Sequence, residues 1–125
     1  MNGAKLKTMR EGLGLSASFL AEKSGVALRT LQYWESGKST VPQDVIDFIL
    51  DLESKFDLAE KHALDIAKKT KPQDIELIRY KSDEDLLKNR PDMKGLNIYV
   101  HAALLNRVRR VLEKNKFKVI FKFYR

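Results

Sequence analysis

The chain reads as mainly α: three short helices and a long fourth, then a small α+β tail in the order strand, helix, helix, strand. Three observations predict this. Up to about residue 70, apolar residues recur at spacings of three and four, with Ser, Gly and Pro where helices start and stop. The final stretch, FKVIFKFYR, instead places Phe117, Val119, Phe121 and Phe123 at every second position. Between the two regimes, Lys71-Pro72-Gln73 breaks the helical pattern. Two domains are therefore expected, residues 1–70 and 71–125.

The first helix is expected over Ala4 to Leu13, with Leu6, Met9 and Leu13 on one face and Gly14 ending it. Ser16 is a suitable N-cap for a second, Ala17 to Lys23, which buries Leu20 with Phe19 or Ala21. Gly25 supplies a tight turn, and Val26 is expected to plug into the core. A third helix follows from Leu28 to Ser36, with Gly37 placed to end it in a left-handed conformation. Helix, short glycine-containing turn, helix is a helix-turn-helix layout. Within the third helix, Tyr33 and Trp34, the single tryptophan, point about 100° apart. One can anchor the helix while the other faces outward.

Pro42 is well placed to open a long helix reaching about Lys69. Val45, Ile49, Leu52, Phe56, Ala59, Ala63 and Ile66 are spaced alternately by four and three, a seven-residue repeat. Its first half is expected to close the N-terminal core and its second half to pack in a dimer interface. Beyond the break, Asp74 to Tyr80 reads as a strand with Ile75, Leu77 and Arg79 on one side. Ser82 caps a short helix through Asn89, and Asn97 a longer one, Ile98 to Lys114. The longer helix is expected to bury Ile98, Ala102, Leu105 and Leu112 and to show Arg107, Arg110 and Lys114 as a solvated stripe. In the last strand Phe117, Val119, Phe121 and Phe123 share one side. Two strands alone are rarely stable in water, so a second copy of the chain is expected to complete the sheet.

With 43% hydrophobic and 33% charged residues, the composition is that of an ordinary soluble protein. No run approaches the roughly 20 apolar residues of a membrane span, and a cytoplasmic location is expected. The absence of cysteine excludes disulfides, thiolate chemistry and zinc fingers. The net charge of +7 is unevenly placed: residues 1–41 carry +3, residues 42–70 carry −3 and residues 71–125 carry +7. Two basic ends around an acidic middle suit two surfaces that face nucleic acid. No phosphate loop, metal motif or cofactor motif is present. His62, Asp65 and His101 do not make a catalytic group without a nucleophile or cleft, so the chain is not expected to be an enzyme.

Leu13, Leu15, Leu20, Ala21, Gly25, Val26, Thr30, Leu31, Trp34, Glu35 and Gly37-Lys38 resemble the repressor-type helix-turn-helix of phage repressors and Cro proteins. The longer stretch LQYWESGKSTVPQDVIDFILDL is similar to the anti-CRISPR-associated repressors, which have a long fourth helix and a C-terminal dimerisation domain. The resemblance implies that the third helix enters the DNA major groove by its N-terminal half. Leu31 and Trp34 would then be core, while Leu28, Arg29, Gln32 and Tyr33 face DNA. Arg29 is the leading candidate for base readout, because its planar fork matches guanine O6 and N7. Gln32 suits adenine or phosphate, and Leu28 a thymine methyl. Lys38, Ser39 and Thr40 match the family's backbone-contacting loop, with Thr30 and Ser18 as further phosphate candidates. Arg10 and Glu35 match a structural ion pair. Two positions depart from the pattern: Ala17 replaces a frequent Gln, and Ala27 a usual Ser or Thr.

The expected function is a sequence-specific repressor, a homodimer joined by its C-terminal domains on an inverted-repeat operator in double-stranded DNA, autoregulating a phage-type anti-CRISPR operon. The alternatives are an antitoxin that binds a toxin through its tail, and an RNA-binding regulator using the basic C-terminal region with Phe123 and Tyr124 as stacking surfaces.

Overall fold

The computed structural model describes residues 1–125. Its elements are α1 (Gly3–Gly12), α2 (Ala17–Lys23), α3 (Leu28–Ser36), α4 (Gln43–Thr70), β1 (Ile75–Arg79), α5 (Asp83–Asn89), a 3-10 turn (Pro91–Met93), α6 (Ile98–Lys114) and β2 (Val119–Phe123). The chain divides into two compact units, Met1–Lys55 and Phe56–Arg125. The division falls inside α4 rather than at the Lys71-Pro72-Gln73 break. Packing explains why: Arg107 of α6 bonds Asp57 and Glu60 and lies over the Phe56 ring, so the second half of α4 belongs with α6 and the C-terminal unit.

In the first unit, local chemistry sets the helix ends. Asn2 Oδ1 accepts the Lys5 amide at 2.8 Å, and Ser16 Oγ accepts the Phe19 amide at 3.1 Å. Gly14, Gly25 and Gly37 all adopt left-handed φ values. Both α1 and α2 pack on α3. The core collects Leu6, Leu13, Leu15, Leu20, Ala21, Leu31, Trp34 and Val41, with Val45, Ile49 and Leu52 from α4. Val26 is half-buried, lining the edge of this core rather than plugging it. A Cβ added at Gly3 would stand 2.2 Å from the Trp34 carbonyl oxygen and 2.4 Å from that of Glu35. Only a glycine lets α1 start this close to the end of α3.

Along α4 the buried stripe follows the expected repeat through Phe56 and then drifts. Ala67 is buried, whereas Ile66 is 51% exposed. A straight helix turns every 3.6 residues, so a strict seven-residue repeat slips by about 20° per heptad.

The second unit places β1 and β2 side by side and parallel, with Ile75 opposite Val119 and Arg79 opposite Phe123. Parallel neighbours need a crossover, here α5 and α6, and α6 packs on both strands. Ser82 and Asn97 cap the two helices as their positions suggest. The buried side of α6 is Val100, His101, Leu104, Leu105, Val108 and Leu112; Ile98 and Ala102 are only half-buried. His101, a polar residue, sits at the centre of that stripe, which is why apolar spacing alone shifted it. His101 lies against Tyr80, with ring centroids 5.4 Å apart, and Tyr80 against Tyr124 at 5.2 Å. Strand alternation gathers Ile75, Leu77, Val119, Phe121 and Phe123 on one face of the pair, with Arg79 at its end beside Phe123. Phe121 and Phe123 there are 44% and 52% exposed.

Candidate nucleic-acid interface

Nine residues make α3, and its two sides differ in chemistry. Leu31 and Trp34 are buried, three residues apart on one side. Leu28, Arg29, Gln32 and Tyr33 are exposed on the other. Trp34 is therefore the anchor of the adjacent pair, and Tyr33 the outward residue. Ala27 occupies the N-cap with no side-chain hydrogen bond, as its methyl group requires; its carbonyl accepts the Thr30 amide at 3.0 Å.

At the other end, Gly37 (φ 82°) reverses the chain, and the Lys38 and Ser39 amides donate to the Tyr33 carbonyl at 2.9 and 3.2 Å. This closes the loop tightly after the helix and leaves Lys38, Ser39 and Thr40 exposed. Lys38 Nζ lies 4.5 Å from the centre of the Tyr33 ring. Thr30 is half-buried in α3, and Ser18 is exposed on α2.

The acid in α3 is turned away from this face. Arg10 Nε and a terminal nitrogen bond the two Glu35 carboxylate oxygens at 2.7 and 3.1 Å, and its other terminal nitrogen bonds the Leu15 carbonyl at 2.9 Å. Both side chains are only 9% exposed. One guanidinium thus ties α1, the turn before α2 and α3 together, and its charge cancels that of Glu35. The outward residues, Leu28, Arg29, Gln32, Tyr33, Lys38, Ser39 and Thr40, include two cations and no carboxylate.

Residues 6–52 match the helix-turn-helix family. The N-terminal unit is a helix-turn-helix domain. A segment of 55 residues is also 47% identical to the Aca2 repressor of Pectobacterium phage ZF40, covering 43% of this chain and 47% of that protein. The match thus spans about half the length of that relative.

Other polar residues of interest lie elsewhere. His62 and Asp65 are exposed on α4, while His101 is buried. No group of three or more His, Asp or Glu side chains is placed to hold a metal ion. No helix is long and apolar enough to cross a membrane. Arg107 does not belong to a solvated stripe, because its guanidinium is held by Asp57 and Glu60. That role was invisible in the sequence, since its partners are about 50 residues away.

Proposed function

We propose that this chain is a sequence-specific DNA-binding transcriptional repressor that acts as a homodimer on an inverted repeat. The observation that carries the reading is α3 itself: one side is locked into the core by Leu31 and Trp34, and the other offers Leu28, Arg29, Gln32 and Tyr33 together. Arg29 reads a guanine edge with its fork, Gln32 bonds adenine or a phosphate, and Leu28 meets a thymine methyl. Lys38, Ser39, Thr40, Thr30 and Ser18 bind phosphate and set the register. The helix-turn-helix match and the repressor relative support the same reading.

Dimerisation is assigned to the C-terminal unit, where the half-bare, largely apolar face of the β1–β2 pair needs cover. The two N-terminal units then reach half-sites about 34 Å apart. The promoter is the chain's own, beside an anti-CRISPR gene, and repression follows from excluding polymerase.

Titration against duplex from the chain's own upstream region, beside scrambled duplex at about 150 mM salt, tests this. A preference of at least about a thousandfold is expected, with two subunits per repeat. Weak, equal and steeply salt-dependent binding to both would sink the reading and move the search to RNA or a protein partner.

A further inference from the structure

The loop after α3 is joined to Tyr33 through both backbone and side chain. The Tyr33 carbonyl accepts the Lys38 and Ser39 amides, and also the Ser36 hydroxyl at 3.2 Å. The Lys38 ammonium then lies 4.5 Å from the Tyr33 ring centre. Both residues are exposed on the outward side of the domain.

We propose that Tyr33 is a positioning residue for Lys38: its ring holds the ammonium over the outer side of α3, so that the cation meets a DNA phosphate already oriented. This rests on the DNA reading above. A lysine ammonium ends a flexible four-carbon stem with large rotamer freedom. The electron-rich face of the ring attracts the cation, and the backbone closure brings the stem to the ring. Ordering the charge before binding reduces the entropy lost when the phosphate contact forms. The contact accordingly depends on an aromatic ring at position 33, while the phenol hydroxyl is dispensable for it.

The full-length variants Y33F, Y33L, Y33Q, K38A and Y33L/K38A, titrated against the best-bound and scrambled duplexes at several salt concentrations, separate the possibilities. Thermal melting alongside identifies any folding defect, and Y33Q repeats the test should Y33L melt early. Y33F keeps the ring and is expected to keep the wild-type salt slope. Y33L and Y33Q should each lose about two- to fivefold in affinity per half-site. Like K38A, they should flatten the salt slope by about one unit per half-site. The double variant should bind no worse than the weaker single one.

Losses that multiply in the double variant, or a wild-type salt slope in Y33L and Y33Q, would show that the two residues act independently and overturn the proposal. A salt slope in Y33F flattened as far as in Y33L would assign the contact to the hydroxyl and overturn it equally. If K38A changes nothing while R29A destroys sequence preference, the positioning role falls and the DNA reading stands. If neither variant matters, the DNA reading itself falls.

Discussion

Arg29 stands exposed on the outward side of α3, whereas Arg10, at 7% exposure, is locked to Glu35 and Leu15. Arg29→Ala should cost about 1–3 kcal/mol in operator binding and relax the preference at one base step. Titration against single-base variants of the operator measures both effects, and unchanged thermal stability is expected. Arg10→Ala should instead destabilise the fold by about 3–5 kcal/mol, since it leaves a buried carboxylate without its partner. Urea unfolding checks this, and pairing Arg10→Met with Glu35→Leu should recover most of the loss. Equal destabilisation by the single and double variants would mean that lost packing, not an unpaired charge, is the cause.

His101 gives a pH dependence at the same scale. Its side chain is 1% exposed, and its Nδ1 has no hydrogen-bond partner. Burial, then the cations Arg90 and Arg79, lower its pKa from 6.5 to about 4, against the opposing pull of Asp92. The imidazole is thus neutral in the fold, while the unfolded chain takes up a proton below about pH 6.5. Its contribution to stability is fully present above that pH and is lost as pH falls toward 4, reaching about 3 kcal/mol. Urea midpoints between pH 7 and 4 should fall less steeply in His101→Leu than in wild type. Parallel profiles would show that carboxylates alone govern this window.

Among the elements, α1 meets the end of α3 closely at Gly3. Gly3→Ala brings a methyl group against two carbonyl oxygens and should destabilise by about 1–3 kcal/mol through overpacking, despite the higher helix propensity of alanine. A rise in melting temperature would show that α1 slides freely. Helix caps were legible from sequence at Ser16, Ser82 and Asn97, because a cap bonds amides two or three residues away. The end of the α4 stripe was not. Whether Ile66 or Ala67 turns inward depends on the pitch accumulated along the helix, not on either residue's apolarity. His101 was passed over for a related reason: a pattern of apolar letters omits a polar side chain that a tyrosine ring covers.

For the whole molecule, the half-exposed Phe121 and Phe123 lie on the apolar face assigned to the dimer. Phe121→Lys with Phe123→Lys should shift sedimentation from two subunits toward one and weaken operator binding, while the isolated subunit stays folded. A dimer untouched by both changes would place the interface elsewhere.

The two-sided character of α3 was legible because helical spacing puts Leu31 and Trp34 together and leaves Leu28, Arg29, Gln32 and Tyr33 outside. The sequence by itself determined the helix-turn-helix layout, the caps and the alternating strands, all of which depend on residues a few positions apart. Tertiary structure alone decided the parallel pairing of β1 with β2, the attachment of half of α4 to the second unit, the glycine contact at Gly3 and the placing of Lys38 over Tyr33. The pairing and the contacts at Gly3 and Arg107 join groups far apart along the chain, and the Lys38 contact depends on where a turn sends its side chain; in each case three-dimensional geometry, not residue type, selects the partner.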